Sequence, residues 1–127
     1  MGTWNVDSTD LASVMAAKSS AMAFLRARGE ADAAYEDCAL ALSELLSNAV
    51  RHAHPGPIEV TLDWSMERPR LAVTNVGAPF AFGLEKPPTD LESGRGLFIL
   101  THVLEEPRVD GEDGRCTVSI SLPIVKR

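Results

Sequence analysis

At 127 residues, 45% hydrophobic and 24% charged, the sequence reads as one globular domain over 1–127. That composition excludes a disordered chain, and no apolar run is long enough for a membrane-spanning helix. The formal charge of −6 comes without a basic stripe, which excludes direct nucleic-acid binding as an expectation but leaves room for a local nucleotide pocket.

Trp4-Asn5-Val6-Asp7 fits a short opening strand. Ser8 or Thr9 then caps a helix running to Arg28, where Gly29 stops it. A second helix is expected from Asp32 to Ala53, ended by His54-Pro55-Gly56-Pro57. The start of the chain lacks the basic-then-apolar pattern of a secretory signal, so a cytoplasmic location is expected. Cys38 and Cys116 sit at no metal-ligand spacing and read as buried thiols.

Three strands follow from period-two alternation. Ile58, Val60, Leu62 and Trp64 share one face, with Glu59, Thr61 and Asp63 opposite. Leu71 and Val73 alternate with Ala72 and Thr74. Cys116, Val118, Ile120 and Leu122 alternate with Arg115, Thr117, Ser119 and Ser121. Each outer face is polar, so the sheet is covered on one side only. The implied architecture is an α/β two-layer sandwich: a mixed, mostly antiparallel sheet with three helices on one face. The third helix starts after Gly94-Arg95-Gly96, with Leu97, Leu100 and Leu104 as its apolar stripe. Between Gly77 and Gly94 lies a long loop rich in proline, glycine and acids, of the kind that carries function.

Three patches could carry chemistry. On the second helix, Glu44 and Asn48 are one turn apart on the same face. A carboxylate and a carboxamide so placed can hold a hydrated magnesium ion and a water beside a triphosphate. The same face, with Ser43, Ser47, Arg51 and His52, also reads as ordinary wetted surface. Leu40 and Ala41 intrude on it, which points to partial cover. In Val73-Thr74-Asn75-Val76-Gly77, strand parity aims Asn75 toward the helical layer, where a polar group needs a partner. That partner could be a base or a loop backbone group, and Gly77 would let the backbone approach a flat ligand or simply make a turn. In Ser93-Gly94-Arg95-Gly96-Leu97, two glycines at a helix start expose backbone N–H groups that suit a phosphate. Arg95 could reach a phosphate or a partner's carboxylate, or stay a solvated loop charge.

The order of these patches is more specific than any one of them. Glu44-x-x-x-Asn48 on a helix, a strand ending in Asn75-x-Gly77, a long loop, then Gly94-x-Gly96 into a helix resembles the GHKL (Bergerat-fold) ATPases. The resemblance covers nearly the whole chain. The phrasing Glu44-Leu-Leu-Ser-Asn48-Ala-Val-Arg-His52-Ala, with Ser93-Gly-Arg-Gly-Leu-Phe98, looks like the anti-sigma-factor serine kinase branch. The resemblance implies the histidine-kinase-like ATPase fold, with ATP and Mg²⁺ as cofactors. Glu44 would polarise the attacking hydroxyl or water, and Asn48 would ligate Mg²⁺. His52, Asn75, Gly77, Gly94, Arg95, Gly96 and Leu97 would complete the nucleotide site, and residues 78–93 would form a lid. Its implied partners are a sigma factor, a STAS-domain antagonist that is phosphorylated on serine or threonine, and a second copy in a homodimer. One departure stands out: the family usually carries aspartate where this chain has Asn75, so the bond to the adenine amino group would be uncharged.

Two other readings compete. One is a degenerate GHKL module that docks a regulator with weak or no ATP turnover, favoured by Asn75. The other is a detached ATPase half of a histidine kinase. The chain's histidines are His52, His54 and His102, and none lies on the first helix, so it has no phosphoacceptor helix of its own.

Overall fold

The computed structural model describes residues 1–30, 34–52, 57–76, 108–112 and 114–126, with Arg51, His52 and Glu112 described by their backbone alone. Among these residues the chain forms β1 (Gly2–Asp7), α1 (Leu11–Arg28), α2 (Tyr35–His52), β2 (Pro57–Asp63), β3 (Arg70–Val76), β4 (Arg108–Glu112) and β5 (Arg115–Ser121). The strands make one sheet in the order β1-β2-β3-β5-β4. The expectation of a mostly antiparallel sheet is met, since all four described pairings are antiparallel. The third expected helix lies outside the described residues.

Alternation decides the layers. Val6, Ile58, Val60, Leu62, Leu71, Val73, Cys116, Val118 and Ile120 are buried on one face. From above that face, α1 contributes Ala17, Ala21, Met22 and Leu25, and α2 contributes Cys38, Ala41, Leu42, Leu45, Leu46 and Ala49. Burying such side chains is worth about 1.5–3 kcal/mol for each large aliphatic residue, the main drive to form two layers. The opposite face carries hydroxyls and charges. There Arg70 donates to the Oγ atoms of Ser121 and Ser119 at 3.0 and 3.1 Å, and the Thr74 and Thr117 hydroxyls pair at 2.8 Å.

The caps differ from the expected ones. Ser8 and Thr9 fall in a turn rather than at the helix start. The Asp7 carboxylate accepts from the Thr9 N–H and hydroxyl at 2.9 and 2.7 Å, which holds its carboxyl below the usual range. Asp10 is the N-cap, and its side chain accepts from Ala12 N at 3.0 Å. At the other end Gly29 does cap α1, but in extended backbone at φ −84°. Crowding requires glycine there: a Cβ would stand 2.7 Å from the Tyr35 hydroxyl and 3.0 Å from the Leu25 carbonyl oxygen. That hydroxyl is itself fixed by donating to the Glu30 carbonyl at 2.8 Å.

β4 was not expected. Its sequence, Arg-Val-Asp-Gly-Glu, has one apolar residue, as befits an edge strand with little to bury. The signal lay in the sequence, where an Asp-Gly dipeptide follows the strand, a pattern common at hairpin turns. Gly114 has φ 74°, a left-handed conformation that glycine adopts without penalty.

Candidate functional site

The site is built where α2 lies against β3. Glu36 and Asp37 in the first turn of α2 complement the positive end of the helix dipole. Further along, Ala41 is fully buried and Leu40 half-buried, so the polar side of this helix is covered there rather than open to water. Asn48 is only 5% exposed. Its Nδ2 donates to the Glu44 backbone carbonyl, one turn back, at 2.8 Å. With the nitrogen on the backbone, Oδ1 is the Asn48 atom that suits a cation. The Glu44 side chain is half-buried, and its Oε2 is wholly shielded from solvent. Ser47 and Val50, between and beyond these two residues, are exposed. The wetted part of α2 is therefore narrower than the run of polar residues implies.

Asn75 occupies the inner face of β3 with Leu71 and Val73, and it is 2% exposed. Its strand neighbours in register are Ile58 of β2 and Cys116 of β5, both fully buried. The Nδ2 atom donates to the Val76 carbonyl at 3.2 Å. The Oδ1 atom is buried and accepts no hydrogen bond among the described residues. An acceptor buried without a partner costs about 1–3 kcal/mol. A flat heterocycle that brings an N–H to Oδ1 would relieve that cost. Ile58 and Cys116 would flank it with apolar side chains. Strand parity placed Asn75 correctly, but these two neighbours depend on cross-strand register, which parity alone does not give.

Cys116 and Cys38 are both buried free thiols. Burial, with the negative charge of Asp37 added, pushes the Cys38 thiol up to about 12. Such a thiol is inert as a nucleophile or a metal ligand at neutral pH. Of the other sequence-derived site residues, His52 closes α2, and its side chain lies outside the described set. Gly77, Gly94, Arg95, Gly96 and Leu97 also lie outside the described residues, as does the 78–93 segment. Among the described residues no helix is long and apolar enough to cross a membrane.

A one-sided antiparallel sheet, with a buried amide at the end of a strand that packs on a helix carrying a half-buried carboxylate and a buried amide, is the layout of a GHKL ATPase domain. The histidine kinase-like ATPase domain family matches residues 8–122, and this chain belongs to that family. In fold it is similar to the crystal structure of the RsbU and RsbW domains of Rv1364c from Mycobacterium tuberculosis. That similarity has a TM-score of 0.60 at 16% sequence identity and covers 100% of this chain and 34% of that one. The chain thus spans about a third of that structure's length. It is also similar to the Acinetobacter baumannii histidine kinase AdeS, with a TM-score of 0.53 at 12% identity, over 98% of this chain and 68% of that one. No curated protein matches the chain in sequence.

Proposed function

We propose that the protein binds ATP between α2 and the end of β3, and that it acts as an anti-sigma factor and serine/threonine kinase on a STAS-domain antagonist. The observation that carries the nucleotide part is the Asn75 carbonyl oxygen, fully buried between apolar neighbours and accepting nothing among the described residues. Such an oxygen suits the exocyclic amino group of adenine, a donor. The keto oxygen of guanine at the equivalent ring position would meet it acceptor to acceptor, so adenine is favoured over guanine.

Asn48 fits a magnesium site. Mg²⁺ takes oxygen ligands and keeps several waters, so one carboxamide oxygen with phosphate oxygens makes a sufficient donor set. The ion would supply neutralisation of phosphate charge. Glu44 would accept a proton from the attacking hydroxyl, and its partly desolvated carboxylate stands one turn from Asn48 on the same helix face. Phosphoryl transfer asks the protein for positioning and charge stabilisation rather than covalent chemistry, and a fixed carboxylate and amide on a rigid helix meet that need. Gly94, Gly96 and Arg95 would receive the phosphates, with His52, Gly77 and Leu97 completing the pocket.

The kinase and sigma-factor assignments rest on the sequence resemblance and on family membership, as does the homodimer. The chain's similarity in fold to a structure that contains an RsbW domain agrees with them. The competing reading, a docking module without turnover, is favoured by the uncharged Asn75. Incubation with labelled ATP and purified STAS-domain proteins separates the two. Transfer of label to a serine or threonine of one STAS protein is the expected result. Stable docking with no transfer would leave the module reading in its place.

A further inference from the structure

The outer face of the sheet, which no described helix covers, carries a cavity of about 360 Å³ beside the β2–β3 hairpin. Arg68, Arg70, Ser119 and Ser121 line it, and Met1 and Met66, 82% and 78% exposed, give it an apolar rim. It is remote from the base site. Arg70 begins β3 and Asn75 lies near its other end, about 17 Å along the strand and on the opposite face.

The polar lining suits an anion. Arg70 is half-buried and donates to the Oγ atoms of Ser121 and Ser119. A hydroxyl that accepts from a guanidinium keeps its own proton to give. Ser119 is buried, and among the described residues it donates to no acceptor. Arg68 is exposed and makes no hydrogen bond or ion pair among the described residues. Asp63 also lines the cavity, but its Oδ1 already accepts from the Ser65 N–H at 3.0 Å. Two guanidiniums thus stand against one carboxylate, in a chain whose formal charge is −6.

The positive character continues past the cavity. Lys126 lies 5.9 Å over the Trp64 ring, and the Trp64 Nε1 donates to the Glu67 carbonyl in the hairpin. A β-bridge joins Lys126 to Gly29, which brings the last turn of α1, with Arg26 and Arg28, to the same end of the domain. The acids there are Glu30, Asp63 and Glu67, fewer than the cations. A small free anion would use the guanidiniums and the Ser119 hydroxyl and leave both methionines in water. A protein segment with carboxylates beside apolar side chains would use all of them, since methionine adapts to varied apolar contacts.

We propose that this cavity docks an acidic, partly apolar segment of another protein, with a carboxylate on Arg68, Arg70 and the Ser119 hydroxyl and a neighbouring apolar side chain on Met66. The test is read without nucleotide, so it does not depend on the ATP reading. The probe is a short fluorescent peptide of glutamate and leucine, soluble as a monomer, with lysine–leucine and glutamate–serine peptides as controls. Anisotropy with the full chain is expected to show saturable binding of the first peptide, binding at least about tenfold weaker for glutamate–serine, and none for lysine–leucine. Arg68→Glu leaves Arg70 on its serines and should weaken binding by about tenfold or more, with circular dichroism and melting unchanged. Added salt should weaken it as well. Amide chemical-shift changes should fall on residues 68–72 and Ser119, not on α2. No binding of the glutamate–leucine peptide at millimolar concentration, binding that Arg68→Glu leaves unchanged, or shifts confined to α2 would overturn the proposal. Two other occupants would overturn it too. Arg68-dependent binding to phosphatidylglycerol vesicles without peptide binding would make this a lipid surface. A change in the chain's own sedimentation on Arg68→Glu would assign it to a second copy.

Discussion

Asn75→Leu separates a binding role for this amide from a structural one, because the two predict opposite changes in stability. Leucine keeps the branch at Cγ and removes both polar atoms. In the free protein the substitution deletes a buried acceptor that bonds to nothing described, a gain of about 1–3 kcal/mol. It also deletes the 3.2 Å bond from Nδ2 to the Val76 carbonyl, a loss of about 0.5–1.5 kcal/mol. Val76 is 39% exposed, so water can reach its carbonyl and the loss stays at the lower end. The net change lies between neutral and a gain of about 2 kcal/mol, or up to about 8 °C in Tm for a chain of this size. In the ATP complex the same substitution leaves the base's amino group unsatisfied. That costs about 1–3 kcal/mol, or about 5- to 150-fold in Kd. Differential scanning fluorimetry and isothermal calorimetry on one preparation read both quantities. A Tm that holds or rises while ATP affinity falls is the expected pair. Unchanged ATP affinity would remove Asn75 from the base pocket, and a fall in both would make it a structural amide. The converse variant, Asn75→Asp, should tighten ATP binding by about five- to tenfold through a charge-assisted bond, while lowering Tm because a carboxylate is then buried without the Val76 contact.

Three further predictions concern α2. Glu44→Ala should abolish phosphotransfer in the labelled-ATP assay while leaving the calorimetric Kd for ATP within about twofold, since the carboxylate serves the attacking hydroxyl and not the base; loss of binding together with transfer would make Glu44 structural. Asn48→Ala should weaken ATP binding in Mg²⁺ by about tenfold and have little effect in EDTA, and equal affinities under both conditions would take the metal role from this residue. Cys38 gives a stability signature at alkaline pH. Its folded thiol keeps its proton up to about 12, whereas the unfolded chain releases it from about pH 9. The unfolded state therefore binds fewer protons above pH 9, and stability falls as pH rises from there toward 12, by at most about 1.4 kcal/mol per pH unit from this group. Urea unfolding at pH 8 and pH 10 should show a smaller drop for Cys38→Ala than for the unmodified chain, and an equal drop would mean that Cys38 is not desolvated.

Much of the fold was legible because it rests on parity. Alternation from Ile58 to Leu62, from Leu71 to Val73 and from Cys116 to Ile120 fixed which face the helices cover, and Asn75 fell on the inner face by the same count. What parity does not carry was missed. β4 has one apolar residue and owes its place to the hairpin at Gly114. Asp10 outcompeted Ser8 and Thr9 as the helix cap because Asp7 draws Thr9 into a turn of its own. Helical periodicity groups Val50 with the apolar residues Leu42, Leu46 and Ala49 of the second helix, yet it is 36% exposed. At the site, the types and spacing of Glu44 and Asn48 were readable, and Leu40 and Ala41 pointed to partial cover of their face, but the depth to which each side chain is buried depends on what packs over it in the fold. The unsatisfied oxygen of Asn75 is a property of three-dimensional packing, and only coordinates reveal it.

The central claim, that a nucleotide sits between α2 and the inner face of β3, is tested most directly by calorimetric titration of the unmodified chain. ATP and ADP would each be titrated in Mg²⁺, with GTP as the control. Saturable binding of both adenine nucleotides at one site per chain, with GTP weaker by at least about tenfold, is the expected result. No heat from ATP with a chain that melts cooperatively, or equal affinity for GTP, would contradict it.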